Sequence, residues 1–223
     1  GPSNPNVPRP DVTTLDGYSA YLKSTYGYDT GPYQGYDFKT TNTKITARID
    51  WNINNNHRLN VRYSQVENIS TSSVSTSRSP LAAYPATAGR TSINALHYKN
   101  ANYYQENNLY SLAAELNSSF GEGKFANTLR ATYTDQNEPR SSDSSPFPFV
   151  DILDGTQPAS SGTLGVPYTS FGYEPFTFGN LRQVRTLSFV DNVSWNSGKH
   201  GFTVGAQADF TSTKNGFQRF GTS

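Results

Sequence analysis

Apolar and polar positions alternate in three stretches of the chain, and each stretch does so twice with a short polar turn between. From Lys44 to Gln65, Ile45, Ala47, Ile49, Trp51 and Ile53 share one side, opposite Lys44, Thr46, Arg48, Asp50 and Asn52. A period of two is the mark of an extended strand with one apolar face. After Asn54-Asn55-Asn56-His57 the pattern resumes, with Leu59, Val61 and Tyr63 opposite Arg58, Asn60, Arg62 and Ser64, so the segment predicts an antiparallel hairpin. A second hairpin runs through Tyr110, Leu112, Ala114, Leu116 and Phe120, turns at Gly121-Glu122-Gly123, and returns through Phe125, Leu129, Ala131 and Tyr133. Its polar side holds Glu115, Asn117, Thr128 and Arg130. The third uses Leu187, Phe189, Val193 and Trp195, turns at Asn196-Ser197-Gly198-Lys199, and returns through Phe202, Val204, Ala206, Ala208 and Phe210. Asp191 falls on its apolar side, which predicts either a β-bulge there or a strand whose face is not apolar throughout.

Such alternation also describes a solvated sheet with one face on a core. Two regularities favour a membrane wall. Trp51, Phe120, Phe125 and Trp195 all stand on apolar faces beside the short turns, as an interfacial aromatic girdle would. Phe120 to Tyr110 is roughly 10 residues, which at about 3.3 Å each and a tilt near 40° covers about 25 Å, the height of the apolar band in outer-membrane barrels. The short turns also alternate with long connections, 67–105 and 136–180, longer than compact soluble domains usually carry. The fold class expected is all-β: an antiparallel up-and-down sheet of about six strands, part of a large transmembrane barrel. Residues 1–41 read as a Pro/Tyr/Gly-rich extracellular loop with one short helix, and 42–214 as wall hairpins (about 42–66, 106–135 and 181–213) with their loops. Residues 215–223 read as the start of a further loop. Short turns are expected in the periplasm and long loops outside the cell.

Composition agrees with that reading. Hydrophobic residues are 34% and the mean hydropathy is −0.67, too little for a conventional two-layer core, yet aromatics reach 13%. The net charge is +1, with no basic stripe, so nucleic acid is not an expected partner. Cysteine is absent, which excludes disulfides and thiolate metal sites. No apolar run approaches the ~20 residues of a membrane helix. With no Met at position 1 and a Gly1-Pro2 start, the chain reads as a piece of something longer.

The helix is expected after Thr14 as cap, with Leu15, Tyr18 and Leu22 on one face and Gly27 as stop. Ser70 to Ser79 reads as a Ser/Thr-rich tether. The 146–180 loop is richer, and Phe147, Phe149, Tyr168, Phe171, Tyr173, Phe176 and Phe178 are the candidate ligand-contacting residues, since aromatic faces stack on sugar rings or pack peptide side chains. The competing reading, favoured for any single one of them, is that they form the loop's own small core. Lumen-facing Arg48, Arg62, Glu115 and Arg130 read as an internal charge network.

The strings TNTKITARIDWNINNNHRLNVRYS, LAAELNSSFGEGKFANTLRATYT, SFGYEPFTFGN and SFVDNVSWNSGKHGFTVGAQADFTSTKNGFQRFG resemble the barrel of TonB-dependent outer-membrane receptors of the Oar-like type found in Bacteroidetes. The resemblance runs from about Leu15 onward. It implies a fragment of the early wall of a ~22-strand barrel that encloses a plug, acting in nutrient uptake with loops that capture ligand. The partners it implies are outer-membrane lipid, the remaining strands and plug of the same protein, and the TonB energising system, with a surface lipoprotein as a further candidate. The competing class is a secreted soluble β-sandwich, an adhesin or glycan-binding module.

Catalytic chemistry has little support. His57, His97 and His200 have no acids at triad or metal-ligand spacing, and there is no HExxH, P-loop or GxSxG. Asp151-Ile152-Leu153-Asp154-Gly155 lacks the ligand alternation of a calcium loop and reads as a turn. No enzyme activity, metal or cofactor is expected.

Overall fold

A computed structural model of the chain describes residues 10–76, 90, 95–154 and 167–218. Helix α1 (Val12–Tyr26) leads into β1 (Thr40–Asn54), β2 (His57–Ser72), a single 3-10 turn (Lys99–Ala101), β3 (Tyr103–Glu106), β4 (Asn108–Phe120), β5 (Phe125–Ser141), β6 (Val150–Leu153), β7 (Pro167–Phe171), β8 (Leu181–Ser197) and β9 (His200–Gly216). All strands of the main sheet pair antiparallel, in the order β1-β2-(β3, β4)-β5-β8-β9. β3 and β4 hold one continuous register against both neighbours and are separated only at Asn107, whose N–H still reaches the Asn68 carbonyl at 2.8 Å. Seven segments therefore make a six-strand meander. β6 and β7 form a separate two-stranded sheet.

The registers line the apolar residues into rows across the sheet. One row is Ala47, Tyr63, Leu112, Tyr133, Leu187 and Phe210; the next is Ile49, Val61, Ala114, Ala131, Phe189 and Ala208. The third is Trp51, Leu59, Leu116, Leu129, Asp191 and Ala206. This face is uncovered: Ile49 is 71% exposed, and Val204 and Phe210 63% each. A β-sandwich would close it with a second sheet, and among the described residues none lies on it, so the sandwich expectation falls.

The turns give the strand tilt. His57 at the β1–β2 turn faces Ser118, and the β4–β5 turn lies two residues further along, at the Phe120–Phe125 pair. Phe125 faces Trp195, and the β8–β9 turn lies two residues further again, at Ser197–His200. The turns thus step by about one residue per strand. With a rise of about 3.3 Å and a strand spacing of about 4.8 Å, they share one plane when the strands tilt by about 35°, the tilt of closed membrane barrels.

Several boundaries differ from the sequence reading. β2 runs to Ser72 and β5 to Ser141, so the connections shorten to 73–102 and 142–180, and the start of the presumed tether is strand. Apart from Ile69 and Pro139 these extensions are polar on both faces, which leaves no alternation to read. Ser77 to Ser79 of the tether lie outside the described residues. The helix N-cap is Asp11, not Thr14: its carboxylate accepts from the Thr14 N–H at 3.1 Å, leaving Thr14 in the first turn. Gly27 closes the helix as expected, at φ 67°. No bulge occurs at Asp191, whose register is continuous on both sides; the irregularity in the main sheet is between Asn52 and Asn54, which takes Ile53 out of the ladder. Asp151 to Leu153 are strand β6, not a turn; Gly155 lies outside the described residues.

Candidate functional site

The wall has two chemically distinct faces. On the apolar face, Phe120 pairs with Phe125, Phe125 with Trp195 and Trp195 with Phe202, the last two rings stacking at 5.3 Å. By register Trp51 stands level with Leu116, well above this row. With the turns in one plane, a tilt of about 35° brings it to the depth of Trp195, since each strand step carries one residue of stagger. The four girdle residues then fall within about 6 Å of one another in depth, and the apolar rows above them cover about 22 Å. Above the Tyr63–Leu112–Tyr133–Leu187 row the outward face becomes polar, beginning with Gln65, Tyr110, Asp135 and Arg185, the last two ion-paired at 2.9 Å.

The opposite face carries charge. Arg48 donates to Asp50 through Nε and Nη2 at 2.9 and 2.8 Å, and Arg58 approaches the same carboxylate at 3.6 Å. Glu115 accepts from Arg130, from Asn117 at 2.9 Å and from Asn60 at 3.3 Å. Arg48, Glu115 and Arg130 are joined in such networks, whereas Arg62 stands opposite Arg48 with no carboxylate partner among the described residues.

At the loop end, α1, the 3-10 turn and the β6–β7 hairpin fold into a cap with its own core of Leu15, Leu22, Tyr28, Tyr98 and Phe171. Tyr98 donates to the Leu15 carbonyl at 2.5 Å, and Tyr28 stacks on Phe147 at 4.1 Å. Burial raises the pKa of both tyrosines. Gly172 (φ 100°) is required here, because a Cβ would collide with the Pro148 carbonyl, and its N–H reaches the Tyr28 hydroxyl at 3.0 Å. A buried ion pair clasps the cap: Arg90 meets Asp151 through Nε and Nη2, both at 2.9 Å, and donates to the Ser75 carbonyl at 3.0 Å. Ser170 donates to Asp151 at 2.6 Å, and the Phe149 ring lies 4.8 Å from the guanidinium carbon. His97 contacts the Arg90 carbonyl through Nε2, its buried Nδ1 has no partner among the described residues, and burial lowers its pKa.

The seven loop aromatics separate accordingly. Phe147, Tyr168 and Phe171 pack in or against the cap core, Phe149 lies under Arg90, and Tyr173 meets Phe178 edge-on at 6.4 Å. Phe176 differs, because it lines a cavity of about 540 Å³ at the mouth of the wall. The Glu174 carboxylate holds the turn that places it, accepting from the Phe176 N–H at 3.0 Å and the Thr177 hydroxyl at 2.6 Å. Ser72, Tyr103, Arg140 and Phe217 also line the cavity. The strand residues among them share the polar face, through the Ser72–Tyr103 and Gln105–Arg140 pairings. These were missed in the sequence, where continuing the alternation past Thr134 would have put Arg140 on the face of Arg130.

Residues 6–222 match the family model described as Outer membrane beta barrel domain. No curated protein and no solved structure matches the chain.

Proposed function

Because the chain belongs to the outer membrane beta barrel domain family, and so to the bacterial outer membrane, we propose that it forms wall and ligand-capturing loops of a TonB-dependent transporter, with no catalytic chemistry of its own. The observation that carries this reading is the pairing of an exposed apolar face, with aromatics beside its short turns, and a charged face whose far strand ends line a cavity. A structural wall alone would need the first of these and not the last. On the rule for such barrels the short turns face the periplasm and the cap faces outside. β1 and β9 are open edges of 15 and 17 residues, and six strands are fewer than the roughly 8 of the smallest closed barrels. Unpaired edges of that length recruit strands, so the reading requires further strands of the same protein, together with a plug against the charged face.

Solute depletion from defined medium tests the transport reading. Cells lacking the protein and cells lacking TonB are expected to spare the same solute, which wild-type cells consume. Normal consumption of that solute without TonB would contradict energised uptake.

A further inference from the structure

The described lining of the mouth cavity carries one positive charge, and no described carboxylate neutralises it. Neighbouring cations are all held: Arg182 by Glu138 at 2.9 Å, Lys99 by Asp143 at 2.8 Å and Arg90 by Asp151. Arg140 has no carboxylate partner among the described residues, and its guanidinium carbon lies 5.0 Å from the centroid of the Tyr103 ring. Stacking of this kind orients the guanidinium plane and leaves its edge donors directed away from the ring. Phe176 and Phe217 stack on each other at 6.2 Å and supply further aromatic surface. Segment 72–76 adds four hydroxyl side chains and its backbone, and no acid lines the cavity. A volume of about 540 Å³ falls in the range of small-molecule sites, about 300–1,000 Å³.

We propose that this cavity binds an acidic saccharide of the uronic acid type, with its carboxylate on Arg140, a ring face on the aromatic wall, and its hydroxyls on the 72–76 segment. The proposal rests on the transport reading, which makes the charged face the lumen. Each feature selects against a competitor. A peptide or amino acid would leave its ammonium group unpaired, since no lining carboxylate could receive it. A neutral sugar would leave Arg140 without its counterion.

Calorimetric titration of the full-length protein in detergent, with di- and trisaccharides of galacturonate and glucuronate and with their methyl esters, tests this site. The acid form is expected to bind about tenfold tighter than its ester or more, and added salt should weaken the acid form alone. Arg140→Gln should remove the preference, and Arg140→Lys, which keeps the charge, should retain part of it. Equal binding of acid and ester by the wild-type protein would overturn the proposal, as would binding of neither, tighter binding of a dipeptide, or an unchanged preference in Arg140→Gln. The acid-to-ester comparison on the wild type decides even where a variant fails to fold. Absence of the preference in a wild-type protein that shows TonB-dependent uptake rejects this site alone, whereas TonB-independent uptake rejects the transport reading.

Discussion

Asp191 is the residue most at odds with its surroundings. It stands within the apolar rows, between Leu129 and Ala206, and its one local relief is the Asn127 side-chain amide, which donates to it at 2.5 Å. Acidic residues on a lipid face cost less than Arg or Lys at the same depth, for which the penalty is about 2–4 kcal/mol. Asp191→Leu is therefore expected to stabilise the full-length barrel in vesicles by about 1–2 kcal/mol in urea titrations, and a loss of stability would mean that the site faces something other than lipid. The cap has its own sensitive residues. Removing the Asp151 carboxylate takes from the buried Arg90 the acid that holds its Nε and Nη2, so Asp151→Ala should destabilise the cap by up to about 3–5 kcal/mol and open the 142–180 connection to protease while the wall stays resistant. His97 is held neutral by burial, with its pKa below the ordinary 6.5. The unfolded cap then binds the proton first as pH falls, so cap stability drops as pH is lowered from about 6.5 towards the folded value and is flat above about 7. Protease resistance of the cap measured from pH 7.5 to 5 should show this fall, and His97→Gln should flatten it.

Among the elements, the hairpins were legible because lipid on one side and charge on the other impose a period of two from Ile45 to Phe210. The aromatic row of Phe120, Phe125 and Trp195 beside the turns was legible for the same reason, although the level of Trp51 needed the register. The strand extensions beyond the apolar band were not, because Asn68, Ser70, Asn137 and Glu138 are polar on either face. The cap was hidden for another reason. Its contacts join residues far apart in sequence, as in the Tyr28–Gly172 and Arg90–Asp151 pairs, and its strands β6 and β7 have only 4 and 5 residues. The aromatic loop announced a small core but not which rings it would bury. The two faces of one strand make an element-scale prediction: Ala131→Arg points at lipid and Thr132→Arg at the lumen. The first should cost about 2–4 kcal/mol in vesicle refolding and the second less than about 1, and equal costs would remove the distinction between the faces.

At the scale of the whole molecule, one sheet carries an exposed apolar face and a charged face, with a folded cap and a cavity at its loop end. Its open edges suit the proposed arc of a larger barrel, and the apolar face makes the central claim, contact with lipid, open to direct measurement. The absence of cysteine from the chain suits single-cysteine labelling of the full-length protein in its native outer membrane. Cysteines replacing Ile45, Ala47, Ile49, Leu112, Leu129 or Val204 are expected to resist a membrane-impermeant maleimide until detergent or solvent displaces the lipid, while labelling of cysteines replacing Thr46, Ala113 or Thr132 does not depend on lipid. Free aqueous labelling of the first set would contradict the account.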